Sequence, residues 1–208
     1  NILIPMITTM TGSFFQTMND FEQFDNNPEL VEEFFHFMAV IIKYSPKMFL
    51  QSQNDINTVY EAGIVGLQVT TREAHRGVIT FFDKFVSVIA KPDKRISLSA
   101  DIMNEYLVKI TLIGSSLVTG LMLCLSGELS VGTLGGTRII SDLLIKLRIA
   151  SNIVSDTLFH EWLQSAVNSM KPIPAKVASD INLVGLYAAN EDTIYAKIDS
   201  FFWRFQKK

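Results

Sequence analysis

Apolar side chains recur along this chain at intervals of three and four residues, and strand-like alternation is nearly absent, so helices are expected throughout. The clearest case is NPELVEEFFHFMAVIIKYSP, residues 27–46, where Val31, Phe34, Phe35, Met38, Ile41 and Ile42 form one wide stripe. Asn27 stands where an N-cap belongs. Pro28 occupies the first helical position, where its missing N–H costs nothing, and Ser45-Pro46 ends the helix. A second helix is expected over 55–69. A third, over 72–90, follows the capping-box pattern Thr70-x-x-Glu73, buries Val78, Ile79, Phe82, Phe85, Val86 and Ile89, and stops before Lys91-Pro92. Further helices are expected over 97–125, 131–149, 155–170, 175–188 and 191–205, the last capped by Asn190, with a leading helix over 3–18.

About nine helices joined by short connections should alternate in direction, each antiparallel to the next. Paired helices at a spacing of roughly 40 residues are the rhythm of HEAT-type repeats, in which each pair buries its apolar face on its neighbours. The expected fold is therefore all-α: an α-solenoid of four antiparallel HEAT-type hairpins plus the leading helix, one array over residues 1–208. The chain starts mid-pattern, without an initiator Met or a charged leader, as the C-terminal part of a longer HEAT-repeat protein would.

The run ITLIGSSLVTGLMLCLSG, residues 110–127, carries no charge and approaches the length of a membrane span. It is diluted by Thr111, Ser115, Ser116, Thr119 and Ser126 and by three glycines, and it continues a charged segment holding Asp101, Glu105 and Lys109. Basic flanks and an aromatic belt are missing. A core helix sandwiched between neighbours is expected instead, with its small residues allowing close helix approach or a break near Gly114.

Charge and residue chemistry narrow the function. A net charge of −3 over 208 residues lacks the basic stripe of a nucleic-acid binder. The single cysteine, Cys124, allows no internal disulfide and sits in apolar surroundings that suit an inert core thiol. FHEW, at 159–162, lacks the second histidine that a zinc-protease helix needs, because position 164 is Gln. His36, His75 and His160 are far apart and read as surface or boundary residues. GELSVGTLGGTR has glycines but no Lys-Ser/Thr pair, and it follows a helix rather than a strand, so it reads as a turn and not a phosphate loop. No catalytic cluster, metal site or cofactor site is expected, and the chain is not expected to be an enzyme.

The stretches NNPELVEEFFHFMAVIIKYSPKMFLQS and GIVGLQVTTREAHRGVITFFDKFV, with FHEWLQSAVNSMKPIP and the terminal SFFWRFQKK, resemble the C-terminal HEAT repeats of the importin-β (karyopherin-β) superfamily, most closely its transportin-SR/importin-13 branch. The resemblance lies in helix order, proline positions and aromatic spacing. It implies that helices 28–44, 72–90, 131–149 and 175–188 form an outer row, and that helices 55–69, 97–125, 155–170 and 191–205 line a concave inner face. It further implies a nuclear transport receptor shuttling between cytoplasm and nucleus. Its partners would be protein cargo (basic or Arg/Ser-rich), nucleoporins, and the GTPase Ran, bound mainly by repeats outside this segment. Asp55, Glu61, Asp101 and Glu105 on the inner helices would then offer an acidic surface to basic cargo. The alternative is a HEAT-repeat scaffold or regulatory subunit unrelated to nuclear transport, since a fold does not determine a function.

Overall fold

The structure, a computed structural model, describes residues 2–18, 20–52, 56–126 and 134–169. Every element among them is helical: α1 (Leu3–Thr17), α2 (Phe21–Asn26), α3 (Pro28–Tyr44), α4 (Pro46–Gln51), α5 (Ile56–Gly66), α6 (Arg72–Ala90), α7 (Pro92–Ile96), α8 (Ala100–Ser126), α9 (Leu134–Asn152) and α10 (Leu158–Ser169). The all-α expectation is met within these limits. The helices expected over 175–188 and 191–205, the Asn190 cap and the candidate residue Asp55 lie outside the described residues.

Three short helices, α2, α4 and α7, were not legible in the periodicity. Two of them begin at a proline that was read only as a stop. The Ser45 N–H closes α3 on the Ile41 carbonyl at 2.7 Å, while the Ser45 carbonyl accepts from Met48 and Phe49 to open α4. Pro46 fits this junction because the first turn of a helix has no use for its absent donor. Two expected caps are replaced by other bonds. The Asn27 amide donates to the Gln23 carbonyl at 3.0 Å, finishing α2 rather than starting α3. Thr70 forms no capping box; its N–H and hydroxyl donate to the Asp25 carboxylate at 2.8 and 3.1 Å. One Asp25 carboxylate oxygen takes both Thr70 donors, including the N–H that the Glu73 side chain would accept in a capping box.

The helices pack in two rows. In the first, α6 packs against both α3 and α9. Helices α3 and α6 run parallel: Glu32 meets Arg76, whose Nε donates to it at 3.0 Å, and Phe35 meets Phe81 at 5.4 Å between ring centroids. Gly77 allows this close approach, since a Cβ there would stand 2.8 Å from the Glu32 Cα. Lys146 ties α9 to Asp83 of α6. In the second row, α8 packs against α5 and α10. The α8 helix is unbroken through Gly114, whose missing side chain makes room for the Trp162 ring of α10.

Between the rows, α5 runs antiparallel to α6. Gly63 faces Phe82, Gly66 faces Val78, and Tyr60 lies 4.8 Å from Phe85. Rings then continue in contact from α1 to α8, through Phe14, Phe34, Phe35, Phe81, Phe49, Tyr60, Phe85 and Tyr106. Edge-on and tilted ring pairs of this kind each add about 0.5–1.5 kcal/mol beyond the area they bury.

By length and composition α8 is the one described helix apolar enough to cross a membrane. Its Tyr106, Ile110, Leu117, Val118, Leu121, Cys124 and Leu125 are buried within the protein core, while 39 % of its most apolar window is buried in all. Length and hydropathy alone are weak grounds for a span.

Candidate partner-binding groove

The second row is joined unevenly, and the reason lies in the sequence of α5. Ile56, Val59, Tyr60 and Gly63 follow helical spacing and turn into the core. Asn57, Glu61, Ile64 and Val65 form the adjoining stripe, which faces α8. The two helices are parallel, with an offset of about 52 residues. Lys109 donates to the Asn57 side chain at 3.0 Å near one end. At the other, Gly120 abuts Leu67, where a Cβ would come within 2.6 Å of the Leu67 Cδ1. Cys124 seals that end further, its thiol 3.6 Å from the Leu67 carbonyl. Between these two ties the helices stand apart over about 15 Å, ten residues at the helical rise.

The gap is a groove of about 530 Å³. Ile64 and Val65 line it from α5, Leu112, Ile113 and Ser116 from α8, and Tyr60 contributes to its wall. Leu112 is 68 % exposed, and Val108, one turn earlier on α8, is 56 % exposed. Two large apolar side chains thus stand in water on one face of a helix whose other sides are packed.

One charge of each sign stands at the groove. Glu61 is exposed and has no hydrogen-bond or ion-pair partner among the described residues, while Lys109, bonded to the neutral Asn57 side chain one turn away, keeps its positive charge. Asp101 is exposed in the first turn of α8, and Glu105 is half-buried one turn later. Burial pushes both the Tyr60 and Tyr106 phenols well above their ordinary range, and the charge of Glu105 adds to the effect. Both phenols therefore stay neutral. Tyr106 donates to the Pro46 carbonyl at 3.2 Å. The Tyr60 hydroxyl, also buried, has no partner among the described residues.

Of the four acidic residues singled out in the sequence, Glu61 lines the groove. Glu105 and Asp101 share its row but not its position: by the register, Glu105 sits about 12 Å along α8 from the residue facing Glu61. They form no single cluster. The apolar lining was missed. The available signal was Val108 and Leu112, four residues apart on the stripe that also carries Asp101 and Asn104.

His75 departs from the surface or boundary position expected for it. It is 7 % exposed, because the first turns of α6 pack under the end of α8, and its Nε2 lies 3.4 Å from the Cys124 Sγ. Burial lowers the imidazole pKa and pushes the thiol up to about 12, so the pair is neutral and carries no thiolate nucleophile. Among the described residues no group of three or more His, Cys, Asp or Glu is placed to hold a metal ion.

No family model and no curated protein matches this chain.

Proposed function

We propose that this chain is an α-solenoid of HEAT-type hairpins belonging to the C-terminal region of an importin-β-type nuclear transport receptor, and that its α5–α8–α10 row faces protein cargo. The observation that carries the reading is directional. Helices α3 and α6 are parallel neighbours in one row, α5 and α8 are parallel neighbours in the other, and α5 and α6 are antiparallel between them. Stacked hairpins generate that pattern, whereas a four-helix bundle pairs most neighbours antiparallel. The row assignment coincides with the inner and outer helices that the family resemblance implies. The groove along the α5–α8 row supplies an apolar surface with Glu61 at its edge, of the size that ligand clefts usually have, roughly 300–1,000 Å³.

On this reading the protein has no catalytic or cofactor chemistry of its own. It binds cargo, responds to Ran through repeats outside this segment, contacts nucleoporins, and shuttles between cytoplasm and nucleus. The test is direct binding of the protein that carries this sequence to Ran loaded with GTP or with GDP. Preference for the GTP form by tenfold or more is expected. Equal or absent binding would discard the transport assignment and favour a HEAT scaffold serving another assembly.

A further inference from the structure

We infer that the groove between α5 and α8 receives an amphipathic helix of a partner protein, one that presents an aliphatic anchor and, three or four positions away, a lysine or arginine. The inference rests on the reading of the inner row as a partner-binding face and names the chemistry of the partner. Four observations select it. The groove between Ile64, Val65, Leu112 and Ile113 is apolar, so its occupant contributes an aliphatic side chain. Glu61 stands at the same groove, exposed and without a partner among the described residues, so beside Glu61, away from the Lys109 ammonium on Asn57, a basic side chain gains an ion pair while an acidic one meets repulsion.

Both walls are helices, whose mid-helix backbone groups are already bonded within themselves. An extended peptide would find no backbone ladder to join, whereas a helix satisfies its own backbone and needs only side-chain pockets. The open length of about 15 Å accommodates anchors at i, i+4 and i+7, which span about 10 Å.

The test uses the full 208-residue chain and a phage-displayed library of 16-residue alanine-based helices randomised on one face. Selection against the wild-type chain is expected to enrich aliphatic residues with Lys or Arg three or four positions away. Binding of the selected peptides, read by fluorescence anisotropy, should fall at least tenfold with Leu112→Asp. With Glu61→Lys the charge preference should invert. Both side chains are exposed, so the variants should keep the wild-type far-UV circular dichroism; Leu112→Ser, a smaller change, serves if Leu112→Asp does not. Enrichment of acidic sequences, no enrichment at all, or binding indifferent to both variants would overturn the inference. Preference for Ran-GTP alongside any of those results would leave the transport reading standing, and loss of Ran binding with intact peptide selectivity would do the reverse.

Discussion

Replacing Gly77 by alanine sets two effects of known size against each other. Gly77 lies inside α6, so on helix propensity alone the change should stabilise the protein by about 0.8–1 kcal/mol. The added Cβ, however, would stand 2.8 Å from the Cα and 2.9 Å from the carbonyl oxygen of Glu32. Ordinary contact begins at 3.4 Å, so the two helices must separate by several tenths of an ångström. The obstacle is backbone, and no rotamer change relieves it. A gap of about 0.5–1 Å forfeits a quarter to a half of each dispersion contact across it, and overpacking of this kind costs about 1–3 kcal/mol. That interface holds the fully buried Phe35 and Phe81, so the upper part of the range applies. The net expectation is a loss of about 2 kcal/mol. With a urea m-value of about 2 kcal/mol/M, the midpoint followed by circular dichroism at 222 nm should fall by about 1 M. Gly12→Ala in α1 is the matched control. It meets nothing within 4 Å, so propensity acts alone and the midpoint should rise. A Gly77→Ala chain as stable as wild type, or more so, would show that α3 and α6 are not in backbone contact.

Three further outcomes follow from buried groups. Asp83→Ala leaves the Lys146 ammonium, itself largely buried, without its carboxylate and should cost about 2 kcal/mol in the same urea titration. Burial raises the Asp83 carboxyl's pKa, but hydrogen bonds from Lys146 and Lys84 and their charges outweigh this and hold it below the usual value. Its contribution is thus complete above the unfolded carboxylate pKa of about 3.9 and is lost as pH falls through the lower folded value, which melts between pH 5 and 2 should register. His75, lowered by burial, works in a higher window: the unfolded state takes up a proton first, so stability should decline as pH falls below about 6.5, and His75→Gln should flatten that part of the curve. The Cys124 thiol, pushed up to about 12, should react with a disulfide reagent at pH 8 over roughly a hundredfold more slowly in the native chain than in urea, and rapid stoichiometric labelling of the native protein would contradict its burial.

What could be read locally was read well. The stripes of α3 and α6 give helices bounded at 28–44 and 72–90, as the structure has them, because a wide apolar face at period 3.6 admits few alternatives. Local reading failed where a distant group competes. Thr70 and Glu73 satisfy the capping-box pattern, yet Thr70 bonds Asp25, 45 residues earlier. His75 sits among Arg72, Glu73 and Arg76 and looks solvated, yet the fold lays the end of α8 over it. Ser45-Pro46 was read only as a stop, although a cap-type residue before proline can equally open a helix, as Asn27-Pro28 does; the pair does both. The groove was half legible. Glu61 could be picked out as an acidic residue on a helix, but its apolar surroundings depend on the offset between α5 and α8, which a lysine and a glycine far along the chain establish.

The two rows also differ mechanically. Helices α3 and α6 meet backbone to backbone at Gly77, an interface with almost no travel before atoms collide. Helices α5 and α8 are tied by one long side chain at Lys109 and by the Leu67–Gly120 contact, with open space between. A load that shifts the helices therefore meets a stiff row at α3–α6 and a compliant one at α5–α8. Lysine side chains swing and aliphatic rims slide, whereas abutting helix backbones do not. The width of the groove is the coordinate along which α5 and α8 yield, so whatever fills it also fixes their spacing.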